Sequence, residues 1–236
     1  MLALSLALLK GFLLISAGLA ASRAFTPPTP PPPPDATKRF QQHDHASKLA
    51  LSFWMPRLLK YTAWALALAE VVAILVARNP SIIPSEPVQS LHELKHGSST
   101  SKITISPLFM FGWVMVTLGA LIRDACYRQL GRQFTFQLAI IDNHKLITEG
   151  PYSVVRHPSY TGWLMHTLGL LIIQTCRGSW IAECGVLNTA VGRYLVAAYI
   201  LFVLTWREDE ALRKEFGDQW VQWSKQTPYR LFPGVF

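Results

Sequence analysis

A chain of 236 residues that is half hydrophobic and only 15% charged, with eight Trp and twelve Phe, falls outside the composition of soluble domains, in which about a quarter of residues are charged. It reads as an all-α, polytopic membrane domain. The net charge of +8 and pI near 9.6 come from basic residues scattered between apolar runs, which argues against nucleic acid as a partner and for orientation in a lipid bilayer. Cys126, Cys176 and Cys184 lie in or beside apolar segments with no CxxC or other metal spacing, so they are expected to be reduced and structural, with no metal bound.

Leu2 to Ala21 is an apolar run of bilayer length interrupted only by Lys10. A signal peptide is the alternative, because the small residues Ala20, Ala21 and Ala24 follow, but no basic region precedes the apolar core. Residues 1–25 are therefore read as a first span or signal anchor. Residues 26–57 are a linker, opening with the polyproline spacer Thr26 to Pro34 and continuing through the polar segment Asp35 to Ser47. Residues 58–122 hold two spans, Leu58 to Ala77 and Ser106 to Ile122, separated by a Pro- and Ser-rich loop from Arg78 to Ile105. Glu70 sits inside the second span, where an ionisable group is costly, and should face the bundle and not lipid.

Residues 123–236 begin with a basic, non-spanning stretch from Arg123 to Arg156. A fourth span follows from Ser159 to Cys176, and a fifth from about Ala182 to Trp206, carrying Arg193 and either tilted or broken near Gly192. Placing Lys38, Arg39, Lys48, Arg57 and Lys60 in the cytosol puts the Arg78 to Ile105 loop on the far side. The basic stretch before Arg156 and the C-terminus then return to the cytosol. This gives a bundle of about five spans with a cytosolic C-terminal cofactor-binding region.

Chemistry is expected at His144 to Gly162, HKLITEGPYSVVRHPSYTG, which is polar and bent between apolar runs. Gly150-Pro151 signals a turn, Pro158 biases His157 away from the helical region, and Pro158 itself suits the first turn of a helix. Tyr152, Arg156, His157, Ser159 and Tyr160 are thereby gathered at the mouth of the fourth span. The plainer reading of such a bend is an interfacial anchor. Past Trp206, Leu212, Phe216, Trp220 and Trp223 form one face of an amphipathic helix, with Glu208 one turn earlier on that face and Gly217 dividing the pattern. For Glu208 the plainer reading is a salt bridge.

GPYSVVRHPSYTGW, the later pair Glu208-Asp209, FGDQWVQW and the closing PYRLFPGVF resemble the isoprenylcysteine carboxyl methyltransferases, and look most like their shorter fungal and bacterial relatives. The resemblance covers roughly Phe134 to Phe236. It implies S-adenosyl-L-methionine as cofactor and methylation, at the endoplasmic reticulum, of the α-carboxylate of a C-terminal prenylated cysteine on membrane-associated proteins. Carried onto this chain, it implies cofactor contacts from Gln137, from His144, Lys145, Leu146 and Ile147, from Tyr152, from His157, Pro158, Ser159 and Tyr160, and from Glu208. The family's substrate-binding arginine, one turn before the acidic residue, falls here on Leu204. Arg207, about 100° around the helix from Glu208, and Arg156 are the candidates to replace it.

These groups suit methyl transfer from a sulfonium to a carboxylate. The α-carboxyl ionises near pH 3.5, so no general base is needed and catalysis is positioning and electrostatics. An arginine can orient the carboxylate by a bidentate contact, Glu208 can pair with the cofactor's amino group, and Tyr152 and Tyr160 can pack against adenine or sulfonium. No GxGxxG joins a strand to a helix, which argues against a Rossmann site. Methylation of a phospholipid amine, a sterol-reductase-like activity and a non-enzymatic membrane scaffold are the rival readings.

Overall fold

The structure is a computed structural model that describes residues 2–30, 46–78, 103–134, 145–183 and 209–234. Every regular element among these residues is helical, as the composition suggests. The helices are α1 (Leu2–Phe25), α2 (Ala46–Arg78), α3 (Pro107–Leu130), α4 (Pro158–Thr175), the single turn α5 (Trp180–Glu183) and α6 (Asp209–Gln226). Three stretches are long and apolar enough to cross a membrane: Ser5–Phe25, Trp54–Val76 and Pro107–Gln133. Large apolar side chains along them stay exposed, among them Leu8, Phe12, Leu58, Val72, Phe111 and Leu121, which suits contact with lipid tails and makes this a multi-pass membrane protein.

Two boundaries differ from those read in the sequence. Helix α2 begins at Ala46, ahead of Leu58, and carries Pro56 within it. Helix α3 does not stop at Ile122 but continues through Arg123 to Leu130, because the Arg123 side chain finds acceptors inside the protein and need not leave the helix for water. Helix α4 occupies the expected fourth span, but its apolar run is broken by the buried Thr161, His166, Thr167 and Gln174. It is not among the three long apolar helices. The fifth span beyond Glu183, residues 31–45 of the linker, the loop from 79 to 102 and Cys184 lie outside the described residues. Cys126 and Cys176 are buried free thiols.

The helices pass through two compact units, one formed by Met1–Ala21, Thr62–Thr117 and His166–Thr205, the other by Ser22–Tyr61, Leu118–Met165 and Trp206–Phe236. The first unit is built on Leu14, Ala17, Ala67, Phe109, Val116 and Ile173. Two buried charges meet there: Lys10 Nζ lies 2.6 Å from Glu70 Oε1, both fully buried. Lys10 also donates to the Gly178 carbonyl at 2.6 Å and sits 5.0 Å from the Phe109 ring centre. Glu70 therefore faces the bundle, and the lone lysine of the first apolar run is its partner. His166, also fully buried, is 2.8 Å from the Val116 carbonyl through Nδ1. A carbonyl only accepts, so the ring proton sits on Nδ1. Helices α3 and α4 approach here without side chains between them, since a Cβ on Gly169 would lie 2.6 Å from the Gly112 carbonyl oxygen.

Removing one member of a buried ion pair leaves an uncompensated charge, at a cost of about 3–5 kcal/mol, whereas replacing both by apolar groups is often neutral. Glu70→Leu is expected to lower the thermal midpoint of the detergent-solubilised protein sharply, and Lys10→Met with Glu70→Leu to restore most of it. A double variant no more stable than Glu70→Leu would show that the pair is not what holds these residues inside.

Candidate active site

All the described site residues belong to the second unit. The turn expected at Gly150-Pro151 is a 3-10 helix, Gly150–Ser153, with Gly150 at φ +61 and proline in its first turn. It buries Tyr152 against Cys126 and Trp223, with Leu146, Ile147 and Trp220 packed around them. The chain then bends through Val155, Arg156 and His157, and α4 starts at Pro158. The His157 carbonyl receives the amides of Tyr160 and Thr161 at 3.0 and 3.1 Å, closing the first turn that a proline at its start leaves one donor short.

A bend between helices leaves backbone donors without ladder partners. Here the C-terminal segment supplies the acceptors. The Arg156 and His157 amides donate to the carbonyls of Tyr229 and Arg230, each at 2.9 Å, and Thr161 Oγ1 donates to the Leu231 carbonyl at 2.5 Å. Tyr229 to Leu231 belong to the closing PYRLFPGVF, which the orientation places in the same compartment as the bend without showing which of its atoms meet it. A run of carbonyls has no side-chain signature, so nothing in the residue types could have revealed it.

Helix α6 delivers this strap. Gly217 adopts φ 49, ψ −121 and breaks the helix into two, the division expected from its place in the amphipathic pattern. Beyond the break Trp223 is buried, and its Nε1 donates to the Tyr152 carbonyl at 3.3 Å. The Arg156 guanidinium, itself buried, lies 5.6 Å from the Trp220 ring centre, a cation–π distance. Both tryptophans of the FGDQWVQW motif thus clamp the bend.

Arg123, on α3, is 2% exposed. Its Nε donates to the Ala24 carbonyl at 2.7 Å and to Tyr127 Oη at 3.1 Å, and Nη2 reaches the same hydroxyl at 2.7 Å. Tyr127 in turn donates a short hydrogen bond to the Ala24 carbonyl. Nη1 reaches both the carbonyl and Oγ of Ser159, each at 3.1 Å. The rings of Tyr127 and Phe134 flank the guanidinium at 5.2 and 6.0 Å. In the sequence Arg123 opens a basic stretch expected outside the spans, and its charge type alone gives no sign of burial.

Of the expected cofactor residues, the structure gathers His157, Pro158, Ser159 and Tyr160 on one turn, with the His157 and Tyr160 rings 5.7 Å apart. Leu146 and Ile147 lie against the Tyr152 cluster, and Lys145 is exposed, its amide donating to Gln133 Oε1 at 2.6 Å. Tyr152 is 9% exposed and packs within the core. Gln137, His144, Leu204, Arg207 and Glu208 lie outside the described residues.

The strap makes a testable contribution. Thr161→Val removes the hydroxyl that holds Leu231 and should cost about 1–2 kcal/mol, the price of one buried hydrogen bond, read as a fall of a few degrees in the thermal midpoint. Thr117→Val, whose hydroxyl donates to the Trp113 carbonyl of its own helix, should change it by less; equal effects would deny the strap its role.

Residues 112–214 match the model of the "Isoprenylcysteine carboxyl methyltransferase (ICMT) family", a segment that contains most of α3, the bend, α4 and the start of α6. Protein-S-isoprenylcysteine O-methyltransferase B of Arabidopsis thaliana is 30% identical over 128 residues, covering 50% of this chain and 56% of its own. Protein-S-isoprenylcysteine O-methyltransferase of Homo sapiens is 30% identical over 130 residues, covering 54% and 42%. The A form from Arabidopsis thaliana reaches 38% over 65 residues, covering 27% and 33%. The chain thus spans about half the length of the curated relatives it matches. No solved structure matches it. Over residues 112–214, the segment that contains the bend and its helix, this chain is similar to the isoprenylcysteine carboxyl methyltransferase family.

Proposed function

We propose that the chain transfers a methyl group from S-adenosyl-L-methionine to the α-carboxylate of a C-terminal prenylated cysteine on membrane-associated proteins. It would do so as a multi-pass enzyme of the endoplasmic reticulum membrane with its C-terminus in the cytosol. The observation that carries this reading is that the family segment contains the polar bend from Gly150 to Tyr160, with its buried backbone donors satisfied and its His157, Ser159 and Tyr160 side chains half-buried. The positive-inside distribution supports the orientation.

The residues present fit such a cofactor. Tyr160 and His157 offer aromatic faces for an adenine ring or a sulfonium, and Ser159 offers a hydroxyl, on a turn whose backbone is already fixed. When bound, S-adenosyl-L-methionine supplies an activated methyl on a sulfonium. The protein's part is to hold and orient. Arg156, which stacks on Trp220, and Arg207 are assigned the substrate carboxylate; Gln137, His144, Lys145, Leu146, Ile147, Tyr152, Pro158 and Glu208 complete the assignment to the cofactor. Neither partner needs a proton removed, because the carboxylate is already ionised. Orientation of two reactants can account for much of the barrier reduction.

The test is methyl transfer in membranes containing this chain, with labelled S-adenosyl-L-methionine and N-acetyl-S-farnesylcysteine. The expected product is a base-labile methyl ester, formed by the wild type and reduced at least tenfold, about 1.4 kcal/mol of transition-state stabilisation, by Glu208→Ala. Saturable cofactor binding without ester would overturn the carboxylate reading and direct the search to lipid amines. Absence of binding would overturn methyl transfer altogether.

A further inference from the structure

Arg123 stands one helix away from the residues assigned to the cofactor and nothing in the proposed reaction uses it, yet it is among the most deeply buried side chains of the chain. Its five N–H donors can accept nothing. When Nη1 points at Ser159 Oγ, at 3.1 Å, the serine oxygen must be the acceptor, and the hydroxyl proton is directed away from Arg123. A serine in the first turn of a helix ordinarily turns its hydroxyl between local backbone partners. Here one lone pair of that hydroxyl is taken by Arg123, which leaves its proton to donate elsewhere, and the second bond from Nη1 to the Ser159 carbonyl fixes the backbone that bears it.

The guanidinium is itself immobilised. Nε and Nη2 are held by the Ala24 carbonyl and Tyr127 Oη, and the Tyr127 hydroxyl is oriented because it donates to the same carbonyl. Backbone contact lets the side chain reach so far: a Cβ on Gly162 would lie 2.7 Å from the Gly119 carbonyl oxygen and 3.0 Å from Arg123 Cγ. Glycine at this position allows α3 and α4 to close until Arg123 spans to Ser159.

We propose that Arg123 is a positioning residue that makes the Ser159 hydroxyl an obligate hydrogen-bond donor toward an oxygen or nitrogen acceptor of the bound S-adenosyl-L-methionine. This rests on the assignment of Ser159 to the cofactor. Arg123 touches neither reactant; it acts through Ser159, and the chain Ala24, Tyr127, Arg123, Ser159 transmits the position of one helix end to the first turn of another.

The experiment is a double-variant cycle on the full chain in detergent, reading the Kd for S-adenosyl-L-methionine by calorimetry. Ser159→Ala and Arg123→Met are each expected to raise Kd about tenfold, the loss of one hydrogen bond, and the double variant to raise it about tenfold again relative to wild type and not a hundredfold. A purely structural arginine would weaken binding independently of Ser159. Additive effects, or an Arg123→Met protein that binds as wild type does, would overturn the proposal while leaving the methyltransferase reading intact. A wild type that binds no S-adenosyl-L-methionine would overturn both. If Arg123→Met does not fold, Tyr127→Phe keeps the guanidinium and removes the hydroxyl that aligns it. It is expected to weaken binding about threefold in the wild type and not at all in Ser159→Ala, and a loss of equal size in both backgrounds would overturn the proposal.

Discussion

A polar backbone that leaves its helix inside a protein must find partners for every N–H and C=O that it uncovers, because an unmet group costs several kcal/mol wherever water cannot reach it. The bend at Arg156 and His157 is such a place. Its amides are met by Tyr229 and Arg230 and the hydroxyl of Thr161 by Leu231, residues some seventy positions away in sequence. The last residues of the chain are therefore part of the site's backbone. The break at Gly217 lies on the same helix that carries Trp220 and Trp223 and leads into the strap.

Buried charge is handled in two ways. Lys10 and Glu70 neutralise each other, whereas Arg123 distributes its donors over carbonyl and hydroxyl oxygens and is covered by two aromatic rings. The first solution fixes the pairing of α1 with α2. The second fixes the start of α4, where the cofactor residues are proposed to lie. By contrast, the exposed pairs of Asp124 with Arg23 and Arg128 are screened by solvent and contribute little.

What could be read from the residues alone was whatever has a local cause. Pro158 at the start of α4, the Gly150-Pro151 turn, the division at Gly217 and the inward face of Glu70 all follow from φ restrictions or from the cost of a charge among apolar side chains. The helical class and the family motif were legible for the same reason. The partners were not. That Glu70 meets Lys10, that Arg123 turns inward to Ser159, and that the tail's carbonyls close the bend depend on contacts between distant segments. Charge and hydropathy along the chain do not encode which of several inward polar groups will meet. The boundary of α3 failed with them, since Arg123 would end a span only if its charge had to reach water.

The bend is a fixed scaffold whose amides are closed by the C-terminal strap. Hydrogen exchange at the Arg156 and His157 amides, read by mass spectrometry with residue-level fragmentation, tests this most directly. The account predicts protection comparable to that within α4 in the full chain, and its loss when the chain is ended at Pro228. Exchange of both amides at the rate of an open loop in the intact protein, or protection unchanged by the truncation, would contradict it.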